Sequence, residues 1–200
     1  MSFRTRLAVV LAIGGVQTVL YRALNQHPLV ESRELSLTWI DRAVPFLPWT
    51  TVLYFVLLAA ELVLPLLVRE RAVFRRMIVA YGLAMSAAFA TYAVFPTRYP
   101  RPESAPDGAL GAELWTFLAS IDTPECCLPS GHVIVPLLAA WALRAEGRGR
   151  LALAVVVALV PSVITTRQHY AWDVAAAVVL VVLAWRVSAR FALSERYGAR

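Results

Sequence analysis

"CCLPSGHVIVP", residues 126–136, decides how this chain is read. A Pro-Ser-Gly-His string opens an apolar helical stretch, and His132 stands where a membrane segment should begin. Polar side chains are costly in hydrocarbon, so an imidazole at that place needs a reason. The reason depends on the surrounding chain and on His169, a second histidine 37 residues later.

Composition fixes the class. The chain is 60% apolar and only 16% charged, where a soluble domain carries about a quarter charged residues. Apolar stretches run roughly over 6–24, 48–68, 77–95, 130–145, 151–167 and 170–190. Each is near the ~17–25 residues that cross a bilayer, the fourth being the shortest. Gly147 to Arg150 is a charged tight turn that makes the fourth and fifth segments antiparallel neighbours. The expectation is an all-α, polytopic bundle of six transmembrane helices forming one domain over residues 1–200. Arg4 and Arg6 precede the first segment and no small-residue cleavage site follows, which reads as a retained anchor.

Arginine sets the expected orientation, because the chain has no lysine. With both termini and the loops at 69–76 and 144–150 in the cytoplasm, thirteen of the nineteen arginines lie on that side. The positive-inside rule favours this arrangement, in a bacterial inner (plasma) membrane with the site extracytoplasmic. The net charge of +6 is thus a topology signal. Nucleic-acid binding would need basic residues and stacking aromatics gathered on one solvent face, and no such face is visible. Leu110, Leu114, Phe117, Leu118 and Ile121 recur at helical spacing, so a short helix is expected to lie on the outer membrane surface. Trp49 and Trp172 are expected at the outer interface, Trp141 and Trp185 at the inner one.

In this topology three distant stretches meet at the outer face: "FPTRYPRP" (95–102), "LPSGH" (128–132) and "TTRQHYAWD" (165–173). Together they bring two histidines, three arginines and a carboxylate, a set suited to a phosphate. Ser130 can cap the fourth helix, whose first amides carry the positive end of the helix dipole. Gly131 admits an oxyanion close to that backbone. Arg98, Arg101 and Arg167 offer planar forks for phosphate oxygens. His169 and Asp173 are four apart on one helical face, so the carboxylate can hold one ring nitrogen and leave the other free to attack. His132, on another helix, can protonate a leaving alcohol.

These residues resemble a known family. Pro129-Ser130-Gly131-His132 and His169-x-x-x-Asp173 are similar to the second and third signatures of the type 2 phosphatidic acid phosphatase superfamily. That superfamily includes lipid phosphate phosphatases, vanadium haloperoxidases and sphingolipid headgroup transferases. The usual third signature, Ser-Arg-x5-His-x3-Asp, would put arginine at 163, where Val163 stands; the arginine is at 167. The first, Lys-x6-Arg-Pro, aligns with Arg101-Pro102 but meets Val94 in place of its lysine. Both variants, and "DRAVPFLPWTTVLY" (41–54), resemble the branch related to inositol phosphorylceramide synthase.

The resemblance implies that His169 forms a phosphohistidine, oriented by Asp173. His132 would protonate the departing alcohol and deprotonate the acceptor. Arg101, Arg167, Ser130 and Gly131 would hold the phosphate, with Arg98 as a further candidate. No cofactor and no metal is implied; two histidines without a cysteine or carboxylate cluster of suitable spacing argue poorly for zinc. The expected partners are a phospholipid or lipid phosphate substrate and the bilayer. Three functions stay open: a lipid phosphate phosphatase, a phosphotransferase moving a phospho-headgroup between lipids, and a non-catalytic scaffold. Glu61, a costly carboxylate inside the second segment, either lines the headgroup cavity or pairs with a polar group between helices. The adjacent Cys126 and Cys127 read as packing residues, and His27 as solvated.

Overall fold

The structure is a computed structural model and describes residues 1–105 and 110–197, with side chains up to 191. Arg200, counted above for topology, lies outside the described residues. Nine α-helices are described: α1 (Phe3–Gln26), α2 (Trp39–Ala43), α3 (Thr51–Leu67), α4 (Arg71–Val94), α5 (Leu110–Ile121), α6 (Gly131–Ala145), α7 (Gly149–Leu159), α8 (Pro161–Thr165) and α9 (Ala171–Tyr197). A 3-10 turn at Pro48–Thr50 leads into α3, and two-residue strands β1 (Arg33–Glu34) and β2 (Thr97–Arg98) pair in parallel.

Four helical segments are long and apolar enough to cross a membrane: Phe3–Gln26, Pro48–Leu67, Arg71–Val94 and Ala171–Phe191. The other two expected spans are shorter. Helix α6 has 15 residues, or about 22 Å at 1.5 Å per residue, against a hydrocarbon core of about 30 Å. Helices α7 and α8 follow each other almost without a break and together cover Gly149–Thr165. Ten of the fifteen residues of α6 are buried, because α3, α4, α7 and α9 all pack around it.

Between helices in lipid there is little hydrophobic gain, so close approach through small side chains carries the packing. Helix α4 supplies Ala80, Ala84 and Ala88 at four-residue spacing, and α9 supplies Ala177 and Ala184. These two helices form an extensive contact. At one end of it Arg76 stacks 4.1 Å over Trp185 and donates to its carbonyl at 2.8 Å. Trp185 is therefore buried under an arginine, not displayed in an interfacial belt. Trp49 and Trp172 are both exposed at the opposite end.

The arginine-rich turns gather at the end that holds Arg76. Glu146, after α6, accepts from the Arg69 and Glu70 amides before α4 and so ties the two turns together. Gly147 sits at φ +76°, a conformation glycine adopts without cost, and lets the chain reverse into α7. At the other end the strand pair carries the loops. Cys127 N–H donates to the Thr97 carbonyl and Leu128 N–H to Thr97 Oγ1, which hangs the segment before α6 on β2. Asp41 closes the capping box of α2 and also accepts from the first amide of α9 at 2.9 Å.

Helix α5 forms where the apolar spacing predicts it, but its faces divide differently. Trp115 and Leu118 are buried, while Leu110, Phe117 and Ile121 are exposed. Trp115 Nε1 donates to the Thr166 carbonyl at 2.8 Å, which rotates that face inward.

Candidate active site

His132 is the second residue of α6. Its Nδ1 lies 2.8 Å from Glu61 Oε1 on α3, and its ring meets Tyr54 at 5.5 Å between centroids. A carboxylate only accepts, so Nδ1 carries the hydrogen and the other nitrogen is left available. Both alternatives for Glu61 hold at once: it pairs with a polar group on another helix, and it lines the cavity that the histidines share.

His169 precedes α9. Its Nδ1 is 3.1 Å from Asp173 Oδ2 and 3.1 Å from the Cys127 carbonyl oxygen. Both neighbours are acceptors, so this ring too has its hydrogen on Nδ1 and its lone pair on Nε2. The fully buried Asp173 carboxylate also accepts from Tyr170 N–H at 2.8 Å, which fixes it at the start of α9. The two imidazole centroids are 5.7 Å apart. Both rings line one cavity of about 240 Å³, with Gly131, Tyr54, Asp122 and Arg22 among its other walls.

Ser130 stands at the N-cap of α6 without making the expected capping bond. Its Oγ is buried and has no hydrogen-bond partner among the described residues. Gly131 lines the cavity, and a Cβ there would come 3.7 Å from Tyr92 Oη. The last turn before α6 is held by Tyr92, whose hydroxyl donates to the Pro129 carbonyl.

The arginines separate. Arg101 is nearly buried and donates to the Asp122 carbonyl at 2.6 Å and to its carboxylate at 3.5 Å, with Nε unpartnered among the described residues. It stands behind Asp122, one residue from the cavity. Arg98 is half-exposed and paired with Glu34 at 3.1 Å, away from the cavity lining. Arg167, at φ +56°, spends its fork on the carbonyls of Asp41 and Val44 and on Tyr99 Oη, at 2.7, 2.8 and 3.0 Å. Folding thus brings together His132, His169, Asp173, Ser130 and Gly131, with Arg101 close by, and leaves Arg98 and Arg167 outside the cavity.

Arg22 of α1 was not singled out by any motif, yet it lines the cavity and donates to the Ile121 carbonyl at 3.0 Å. Tyr21, one residue before, donates to Asp122 at 2.9 Å. The only sequence signal for these two is their place near the C-terminal end of the first apolar stretch.

One cluster departs from the sequence reading. Cys127 Sγ, a His169 nitrogen and an Asp173 oxygen lie within 4.8 Å of one another, a donor set that could hold a metal ion. Burial, and then the nearby Asp173, push the Cys127 thiol well above its usual range, and it donates to the Pro124 carbonyl. Cys126 is pushed up to about 12 by burial and by Glu125 and Asp122. As neutral thiols both fit packing roles.

A family model described as the PAP2 superfamily matches residues 32–187. Neither a curated protein nor a solved structure matches the chain.

Proposed function

Because the chain belongs to the PAP2 superfamily, we propose that it is an integral-membrane lipid phosphate phosphatase that works through a phosphohistidine. The observation that carries this reading is the pair of imidazoles facing one cavity, each held at Nδ1 by its own carboxylate. One ring is thereby set to attack and the other to move a proton.

In the proposed reaction His169 Nε2 attacks phosphorus. The bond from phosphorus to the lipid oxygen breaks, and the departing oxygen takes a proton from Nε2 of His132, which enters this step as an imidazolium with its Nδ1–H on Glu61 and leaves it neutral. Water then attacks the phosphohistidine and gives its proton to His132, the P–N bond breaks, and inorganic phosphate leaves. Ser130 Oγ, the Gly131 amide at the positive end of α6 and Arg101 are assigned to the phosphate oxygens, where negative charge grows. Arg101 is favoured over Arg98 and Arg167 because its buried Nε has no partner among the described residues and it stands beside the cavity. Arg167 is assigned to holding the 165–169 loop against α2. These steps are written with protein groups and water alone.

The deciding assay incubates the purified protein with lipid phosphates and phospholipids and follows both free phosphate and new lipids. Free phosphate from lipid monoesters or diphosphates is the expected result. Transfer to an alcohol lipid without free phosphate would replace water by an alcohol in the same chemistry and make the protein a phosphotransferase. No turnover of any lipid would overturn both readings.

Glu61 is assigned to positioning His132. Glu61→Gln is expected to lower turnover of a lipid phosphate on the order of 10²-fold, the smaller end of what general acid–base catalysis supplies. A nitrophenyl phosphate, whose leaving group departs without a proton, should lose much less. Equal losses for the two substrates would mean that Glu61 only supports the fold.

We assign the arginine-rich end to the cytoplasm, with six spans and the cavity on the opposite side. With Cys126 and Cys127 replaced, Ser104→Cys should react with a membrane-impermeant thiol reagent in cells stripped of any outer membrane, and Arg150→Cys should not. The reverse pattern would put the cavity in the cytoplasm.

A further inference from the structure

A second cavity, of about 460 Å³, lies between α1, α3, α4 and α6 and is walled by Leu58, Leu62, Met77, Ile78, Val135 and Leu138. Its size is within the ~300–1,000 Å³ of small-molecule sites. Gln17, Thr18, Leu58 and Glu61 line both this cavity and the one that holds the histidines. The two spaces therefore meet at Glu61, with a polar room on one side and an apolar room on the other.

The polar groups at the junction are already partnered. Glu61 holds His132, and Gln17 accepts from the Tyr81 hydroxyl. Beyond them the walls offer hydrocarbon. Gly14 and Gly15 of α1 line it without side chains, and a Cβ on either would meet nothing within 4 Å.

The way in is also visible. Helix α1 is pinned at the site end, where Asn25 donates to the Thr123 and Glu125 carbonyls and Tyr21 to Asp122. Along its apolar length only 6% of residues are buried. Gly14, Gly15 and Thr18 line the cavity and are nevertheless exposed, so it opens on the α1 side. A further groove between α1 and α4, past Val16 and Gly82, reaches the same Gln17 and Tyr81. In a bilayer those openings face lipid.

We propose that this cavity seats one hydrocarbon chain of the substrate, which enters from the bilayer beside α1 and passes Glu61 while its phosphate lies at His169. The headgroup half of the statement rests on the function proposed above; the tail half rests on the cavity. An apolar void loses dispersion contacts along its whole lining, and water does not wet it without polar partners. A chain supplies those contacts. The apolar walls meet the histidine cavity at one junction, beside Glu61, so one chain can follow them while the phosphate lies beyond it. The substrate class is thus a lipid phosphate that can present one chain apart from any other.

The test uses the full-length protein in nanodiscs and needs no turnover. The probe is a non-hydrolysable phosphonate analogue of a single-chain lipid phosphate, with a diazirine at the tail end. After illumination, labelled peptides are mapped by mass spectrometry. Label is expected on Val135 and Leu138 of α6, which are buried from bulk lipid. It should fall about tenfold in Gly14→Phe and in Gly15→Phe, which put bulk into the space from positions where a Cβ meets nothing within 4 Å and improve helix propensity. A choline-headed lipid with the same diazirine should label lipid-facing Val19 and Val179 and spare α6, and this pattern, unchanged in both variants, shows that they are folded. Label confined to lipid-facing residues, equal α6 labelling from the choline probe, or no change in either variant would overturn the tail site. If α6 is labelled as expected but the wild type releases no phosphate from any substrate, the tail site stands and the catalytic reading falls.

Discussion

His169→Ala is expected to abolish turnover of every substrate, by roughly 10⁶-fold, the scale of loss when the nucleophile of a catalytic group that acts as a unit is removed. The reason is geometric. Nε2 of His169 is the ring position left unbound when Nδ1 is held between Asp173 and the Cys127 carbonyl. No other described nucleophile lines the cavity in a comparable state. Cys126 lines it too, but burial keeps its thiol protonated. Loss should therefore be uniform across leaving groups, including those that depart readily. A variant that kept activity on nitrophenyl phosphate would mean that water attacks phosphorus directly. The integrity of the variant is checked by its helical circular dichroism.

His132→Ala should behave differently. With a lipid alcohol as leaving group, turnover is expected to fall 10²–10⁴-fold, in roughly the range that general acid catalysis supplies. With nitrophenyl phosphate the first turnover should fall by less than about tenfold, because the departing anion needs no proton. Later turnovers should be slow, because the same residue must take the proton from the incoming water. The measurement is a rapid-quench burst of nitrophenol in the variant, followed by a slow steady rate. No burst, or the same loss with both substrates, would remove His132 from the acid–base role and leave it a structural partner of Glu61.

The contrast between these variants follows from what the sequence made legible. The four-residue spacing of His169 and Asp173 places both on one helical turn, and the structure has them bonded across the boundary of α9. Pro129-Ser130-Gly131-His132 reads as a helix start, and α6 begins at Gly131. Local spacing reports local geometry, so both were readable. The apolar runs were legible for the same reason, with boundaries within a few residues for the first, second, fourth and fifth segments. The helix of the third apolar stretch, α4, begins well before the expected start, at Arg71, because arginine is a good helix former and does not stop a helix.

Contacts between distant segments were not legible. Glu61 and His132 are 71 residues apart, and only the cost of a carboxylate inside an apolar helix hinted at the pair. Arg167 looked like a phosphate ligand because of its motif position. Its left-handed backbone turns the side chain toward the carbonyls of Asp41 and Val44, which no spacing rule foretells. Arg22 belongs to none of the three motif stretches, yet it lines the cavity. Trp185 fitted an interfacial belt by position, yet Arg76 covers it. Cys127 joined His169 and Asp173 only through the pairing of the 126–128 segment with β2. The tail cavity had a sequence trace in Gly14-Gly15, but a missing side chain becomes a space only when the neighbouring helices are known.

The central claim is that phosphorus becomes bonded to His169 while His132 serves it from the other wall of the cavity. The most direct measurement is to mix the His132→Ala protein with a radiolabelled phosphate ester, quench in base within one turnover, and locate the phosphate by peptide mass spectrometry. The account predicts an alkali-stable, acid-labile phosphohistidine at His169, absent from His169→Ala. Phosphate on His132 in the wild type, on Ser130 or Cys127, or on no residue at all, would contradict it.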